Sequence, residues 1–195
     1  MTIDQPQRCE WTMRDPLMIA YHDDEWGVPC HNDRALFERL ILEAFQAGLS
    51  WLLILRKREN FRRAFHEWDV ERIAAYDDKD VERLLNDPGI IRNRRKIDST
   101  IHNARRFLDV QAEHGSFDRY IWSFVGGAPL LRPSAPIWSA VPAWTPESDR
   151  MARELRRRGF KMVGPTMCYS FMQSVGMVND HVEHCFKAQP GSRSE

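Results

Sequence analysis

Leu155-Arg-Arg-Arg-Gly159-Phe-Lys161-Met-Val-Gly164-Pro-Thr166-Met-Cys168 reads as two helices joined by a glycine-flanked turn. The first helix starts at the Thr145-Pro146-Glu147 cap and runs to Arg158, where Gly159 closes it. Pro165 opens a last long helix that ends near Gly176. Glycines let such a turn approach a phosphate closely, and the next helix start offers unpaired backbone N–H groups to an anion. Lys161, Gly164 and Thr166 are candidate contacts to a duplex backbone, with counter-charge from Arg156 to Arg158. Contacts of this kind position a duplex without reading its sequence. A helical hairpin that only displays basic residues to water has the same pattern, and taken alone the pattern favours that reading.

Working outward, helix signals dominate and no segment alternates convincingly with period two. Asp33 to Gly48 carries Leu36, Phe37, Leu40, Ile41, Ala44 and Phe45 at helical spacing, with Asp33 expected to cap its start and Gly48 to end it. At about 100° per residue, Glu43 falls within roughly 20° of Leu36, on the stripe that faces the core. A carboxylate there costs several kcal/mol to desolvate unless something pairs with it, so either a buried arginine or a cationic ligand is implied. Ser50 is expected to cap a helix from Trp51 to about Phe65, Asp69 a short one through Ala75, and Asp78 or a neighbour another ending before Pro88-Gly89. Asn93 to Gln111 is a long helix with Ile97, Ile101, Ala104 and Leu108 inward, and Ser116 caps Phe117 to Val125. Ala128 to Thr145, rich in proline and holding Trp138 and Trp144, is a long ordered loop or a crossover.

The chain has 195 residues, enough for one domain or two small helical lobes. Its 28 basic and 28 acidic side chains cancel, so no overall basic charge points to nucleic acid. There is no secretory signal and no apolar run long enough to cross a membrane, which gives a cytoplasmic expectation. Four cysteines in such a chain do not suggest a disulfide framework. Cys9 and His22 lie near one end, and His181 and Cys185 near the other, with three residues between the last two. Two thiolates and two imidazoles make a closed tetrahedral zinc set with no open position, so Zn2+ there would be structural. Spacing alone does not show that the distant pairs converge, and Cys30, His31 and His184 are rival ligands.

Taken together, the motifs run in one order: Cys9-Glu-Trp11, Ala20-Tyr21-His22-Asp-Asp-Glu-Trp26-Gly-Val-Pro29, Leu42-Glu43, Gln46-Ala-Gly48-Leu49-Ser-Trp51, Arg158-Gly-Phe-Lys161, Cys168-Tyr-Ser-Phe-Met-Gln173 and Val178-Asn-Asp-His181. From Cys9 to Cys185 this closely resembles the bacterial 3-methyladenine DNA glycosylase I family, within the helix-hairpin-helix glycosylase superfamily. The resemblance implies an all-α helix-hairpin-helix glycosylase fold with a zinc-binding lobe joining the N- and C-termini. It implies one unit of two lobes: about 1–30 with 165–187 around the metal, and about 33–164 with the base pocket, the hairpin 155–172 being shared. It implies Cys9, His22, His181 and Cys185 as zinc ligands, and Glu43, Trp51, Trp11 and Tyr21 as the alkylbase pocket. Glu43 is the catalytic candidate, acting mainly in recognition, and Leu49 beside Gly48 is a candidate wedge into the gap a flipped base leaves.

Three departures stand out. Met18 sits where family members often have tyrosine, Asn179 stands at the position that the superfamily resemblance gives to a catalytic aspartate, and Pro165 before Thr166 argues against lyase chemistry. The resulting expectation is a monomer that removes 3-methyladenine from alkylated double-stranded DNA. The rivals are a binding module that has lost excision and a glycosylase for another alkylated base such as 3-methylguanine.

Overall fold

A computed structural model describes residues 6–12 and 14–188. Its α-helices, in chain order, are α1 (Pro16–Asp24), α2 (Asp33–Gln46), α3 (Trp51–Ala64), α4 (Val70–Ala74), α5 (Asp78–Asn86), α6 (Arg94–His114), α7 (Phe117–Trp122), α8 (Pro146–Arg157) and α9 (Pro165–Ser174). No strand forms among the described residues; a single parallel bridge joins Leu130 to Val178. The all-helical expectation therefore holds.

Local chemistry sets most helix starts. Ser50, Asp69, Asp77, Asn93 and Ser116 each accept a backbone N–H in the first turn of α3, α4, α5, α6 and α7. Thr145 and Ser148 form a reciprocal capping box ahead of α8, with Pro146 in its first turn.

The structure corrects three local readings. Asn32, not Asp33, caps α2, accepting from the Ala35 N–H. Asp33 instead accepts from the N–H groups of Phe117 (2.8 Å) and Asp118 (2.7 Å), so its charge meets the start of α7 and ties α2 to it. On α6 the inward residues include Phe107 and Val110 rather than Leu108, because 21 residues of true helix rotate the core stripe past position 108. Residues 16–24, to which no helix was assigned from periodicity, form α1; Asp15 caps it and Pro16 opens it. Its buried wall is Met18, Tyr21 and His22, and its exposed side carries the apolar Pro16, Leu17 and Ala20, so the two faces differ little in polarity.

Most of the core is one large cluster spanning α2 to α9. A second, smaller cluster gathers Cys9, Tyr21, Trp26, Val182 and Cys185, with Trp11, Trp51 and Trp138 packed against it. Backbone bonds knit the two chain ends around α9. Gly27 N–H donates to the Gln173 carbonyl, Cys30 N–H to Val175, and Phe186 N–H to Gln7, at 2.9–3.0 Å. The proline-rich segment joins the same seam: Leu130 N–H donates to Met177, and Glu183 N–H to Ala135. It is an ordered crossover, as its composition suggested.

The seam is tightest at Gly176, whose φ is +74° and whose missing Cβ would lie 2.4 Å from the backbone of Val28 and Pro29. Backbone cannot yield as a flexible side chain can. Gly176→Ala is therefore expected to cost about 3 kcal/mol or more in stability, measured by denaturant unfolding. A loss below about 1 kcal/mol would contradict this account of the seam.

Candidate active site and metal centre

The four expected ligands converge. Cys9, His22, His181 and Cys185 are all buried, and one donor atom from each lies within 4.8 Å of every other. His181 Nδ1 is 3.1 Å from His22 Nε2; Cys185 Sγ is 3.4 Å from His22 Nε2 and 3.5 Å from His181 Nδ1; Cys9 Sγ is 3.7 Å from His181 Nδ1. A tetrahedral ion with metal–sulfur bonds of about 2.3 Å and metal–nitrogen bonds of about 2.0–2.1 Å needs donors roughly 3.3–3.8 Å apart. The three cysteine–histidine distances fall in that range, the histidine pair lies slightly closer, and small side-chain shifts would close the set around an ion.

The ring orientations fit as well. His22 Nδ1 donates to Asp23 at 2.7 Å, and Asp23 is itself held by Arg8, which leaves Nε2 as the lone-pair end facing the cluster. His181 turns Nε2 to the Trp26 carbonyl and Nδ1 to the cluster. Without a cation the two thiols compete: their mutual hydrogen bond holds Cys185 down and, with burial, pushes Cys9 up. A divalent ion removes that conflict by favouring both thiolates. The rival ligands are engaged elsewhere. His31 pairs with Asp118, His184 faces Glu10, and Cys30 lies outside the group of four converging donors.

Beside this cluster lies a cavity of about 200 Å³. Glu43, Trp51, Tyr21, Trp11 and Met18, all expected, line it. The rings form a continuous wall, with centroids 5.2 Å apart for Tyr21–Trp51, 6.3 Å for Trp11–Tyr21 and 5.1 Å for Trp11–Trp26. Trp26 in turn meets the His181 ring edge-on at 4.7 Å, so the aromatic wall rests on the cysteine–histidine cluster.

Glu43 is 6% exposed, and its carboxyl makes no hydrogen bond among the described residues. Burial pushes it up to about 8, against a lesser opposing pull from Arg39. Arg39 is not locked to it: its guanidinium bonds the Ser174 carbonyl and Glu25. The indole N–H groups of Trp11 and Trp51 are buried and likewise unpartnered among the described residues. A buried acid and two buried donors left open in one cavity are the marks of a site awaiting a polar ligand.

Sequence reasoning missed Trp26, Trp138, Gln46, Ser170 and Gln173, which complete the lining. Gln173 carried a signal: like Glu43, it is a polar residue within an apolar helix. Trp138 carried none, because its place depends on how the proline-rich crossover folds back.

The turn after α2 is built by Lys96, whose buried ammonium donates to the carbonyls of Phe45 (2.7 Å) and Ala47 (2.8 Å) and so meets the negative end of that helix. Gly48 follows with φ +80°, and Leu49, 37% exposed, stands on the turn. The hairpin between α8 and α9 is braced from α6: Asn103 accepts from the Lys161 N–H at 2.7 Å and donates to its carbonyl at 3.0 Å. Met162 adopts φ +58° there, and Gly164 precedes α9 with no side-chain cap, which leaves the first amides of that helix open.

Lys161 and Thr166 are exposed on this hairpin. The arginines are not the spare counter-charge expected of them. Arg156 donates to the Val163 carbonyl, Arg157 pairs with Glu154, and Arg158 pairs with Glu113 and Glu154. Among these basic residues Arg156 and Lys161 have no ion pair among the described residues, and Lys161 alone has an ammonium with no hydrogen-bond partner among them.

An all-helical chain with a braced helical hairpin, an aromatic cavity and a solitary buried acid has the anatomy of an enzyme that takes a damaged base out of DNA. The chain matches the family described as methyladenine glycosylase over residues 11–188 and belongs to it. It is 48% identical over 187 residues to DNA-3-methyladenine glycosylase 1 of Escherichia coli (strain K12), covering 96% of this chain and 99% of that one. It superimposes on a crystal structure of a 3-methyladenine DNA glycosylase I at TM-score 0.90 and 52% identity, over 94% of this chain and 100% of the other. The Staphylococcus aureus 3-methyladenine DNA glycosylase I, whose structure concerns recognition of 3-methyladenine, matches at TM-score 0.87 and 31% identity, over 96% and 97% of the two chains.

Two outcomes are expected. Metal analysis of the purified protein gives one stoichiometric ion, which Cys30→Ser keeps and Cys185→Ser loses; an ion count unchanged by Cys185→Ser would refute the ligand assignment. The second concerns Glu43, whose raised pKa makes the fold favour its protonated form. That contribution is full below about 4.5 and is lost as pH rises through about 8. Glu43→Gln should therefore raise stability at pH 9 by on the order of 2 kcal/mol, or Tm by about 4–8 °C, with the gain vanishing near pH 4. Equal Tm differences at both pH values would show that the acid is not buried uncompensated.

Proposed function

We propose that this protein is a monofunctional glycosylase that hydrolyses the N-glycosidic bond of 3-methyladenine in alkylated duplex DNA and leaves an abasic site. The observation that carries the reading is the unpaired Glu43 carboxyl buried in an aromatic cavity. Methylation at N3 makes the base a cation that departs as a neutral molecule. Little general-acid work is needed; the demand is to recognise the cation, expose it and admit water.

The base is rotated out of the stack into the cavity, at least cost where pairing or stacking is already weakened. Trp51 stacks on it with a cation–π attraction of about 0.5–2 kcal/mol that neutral adenine cannot match. Tyr21 and Trp11 close the wall, and burial holds the Tyr21 phenol well above its usual range, so it stays an O–H donor. Glu43 accepts hydrogen bonds from the adenine edge and complements the positive charge. The arriving cation in turn lowers the carboxyl's pKa and drives out its proton. To raise the rate, that complementarity must strengthen toward the transition state. Met18, on the cavity wall, contributes dispersion without a hydroxyl.

Lys161, Gly164 and Thr166 of the hairpin hold the phosphate backbone, and Leu49 beside Gly48 fills the vacated gap. Cys9, His22, His181 and Cys185 hold a structural Zn2+. Four protein donors leave it no open position, so it takes no part in hydrolysis. The two-lobed reading, about 1–30 with 165–187 and about 33–164, draws support from the separate small cluster of Cys9, Tyr21, Trp26, Val182 and Cys185, while Cys168 to Val178 pack into the large one. No helix among the described residues is long and apolar enough to cross a membrane; a cytoplasmic monomer is part of the proposal.

The test is release of bases from methylated duplex DNA by metal-loaded protein, resolved by chromatography. Release of 3-methyladenine is expected, with kcat/KM rising with pH toward a plateau above about 8 as free Glu43 ionises. Glu43→Gln should lower it about 10- to 100-fold, the equivalent of a hydrogen bond to a charged group. No release above background would overturn the reading, and 3-methylguanine as main product would redirect it.

A further inference from the structure

The Val178-Asn179-Asp180-His181 stretch contains two side chains that the mechanism above does not use. Asn179 is tied into its own turn: its Oδ1 accepts from the His181 N–H at 3.1 Å, and its Nδ2 donates to the Lys187 carbonyl. It is occupied in shaping the metal-ligand loop rather than aimed at the cavity. Asp180 is different. It is 9% exposed, and one of its carboxylate oxygens, Oδ2, accepts from both the Tyr169 hydroxyl (2.5 Å) and the Gln173 amide nitrogen (2.8 Å).

Gln173 lines the cavity with Glu43 and Trp51, whereas Asp180 and Tyr169 do not. A carboxylate offers only lone pairs, so the NH2 end of the Gln173 amide must face Asp180. Its planar partner, Oε1, is left turned away from Asp180 and accepts no hydrogen bond among the described residues. The amide belongs to a residue only 7% exposed, on a helix packed over most of its length, so it has little freedom to reorient.

We infer that Gln173 is a specificity-determining residue whose amide oxygen accepts a hydrogen bond from the exocyclic amine of the excised base, and that Asp180 is the positioning residue that fixes which end of the amide enters the cavity. The inference rests on the excision reading above and deepens it. Adenine presents an amine donor at its six-position, where guanine presents a carbonyl acceptor. An immobilised acceptor welcomes the first and opposes the second with an unpaired, repelling lone pair. Glu43, which accepts from the same edge, supplies charge complementarity for any cationic purine, 3-methylguanine included. Gln173 adds an uncharged acceptor of fixed orientation, which sharpens the distinction between the two.

The experiment compares release of 3-methyladenine and 3-methylguanine from the same methylated duplex by the parent protein, Gln173→Leu and Asp180→Asn, with metal content and Tm recorded for each. Gln173→Leu removes the acceptor at similar volume. It should lower 3-methyladenine release about 2- to 10-fold, chiefly through KM, and leave or raise 3-methylguanine release, so that the product ratio shifts. Asp180→Asn lets either end of the Gln173 amide face it and should shift the ratio in the same direction by less. A variant that is only less well folded lowers both products together, leaves their ratio at the parent value and so counts against the inference. If the parent releases 3-methyladenine and both variants keep its product ratio, Gln173 is not the selector. If the parent releases no methylated purine, the excision reading itself fails.

Discussion

An acid with no partner governs the architecture of the cavity. Glu43 projects from α2 into a space walled by indole and phenol rings, and burial raises its pKa to about 8. Such a group destabilises any fold that must keep it charged. The neighbouring charges are arranged so as not to neutralise it. Arg39 is engaged by Glu25 and the Ser174 carbonyl, and Arg58 by Glu25 and Glu38. The cationic network between α1, α2 and α3 is thus closed on itself, and the remaining unmet demand for positive charge is directed into the cavity.

The wall that faces this acid is not self-supporting. Tyr21 lies on α1, while Trp11 sits in a single helical turn before it and Trp26 just beyond its end. What holds them is the cluster behind. Trp26 packs on the His181 ring, Trp11 lies 5.3 Å from the His22 ring, and both histidines present nitrogen to the same centre as Cys9 and Cys185. Any disturbance of these four side chains therefore reaches the cavity wall through two aromatic contacts.

Much of this was legible in the sequence, for identifiable reasons. Caps such as Ser50 and the Thr145-Pro146 pair are local chemistry, so α3 and α8 start where they were expected. Glu43 was visible because a charge on an apolar helical stripe violates the pattern around it. The ligand set needed more than spacing: Cys9 and Cys185 are brought together by the packing of α9, which no local signal encodes. The same holds for Trp138 and for Asp33, whose carboxylate serves a helix start some 80 residues away rather than its own. α1 escaped notice because its exposed side carries the apolar Pro16, Leu17 and Ala20 while its buried side carries His22, which erases the contrast in polarity that reveals a helix. The arginine run before the hairpin misled because sequence shows charge and hides partners: all three guanidinium groups are consumed by Val163, Glu154 and Glu113.

The joining of the two ends has a consequence for how the molecule is made. Cys9 and His22 leave the ribosome long before His181 and Cys185 do. At about 5–20 residues per second, the early pair waits roughly 10–30 s for its counterparts. Until then Trp26 lacks the His181 ring it packs against, and the lining residues Ser170 and Gln173 are also still to come, so the cavity is complete only long after Glu43 and the whole of α2 have been made.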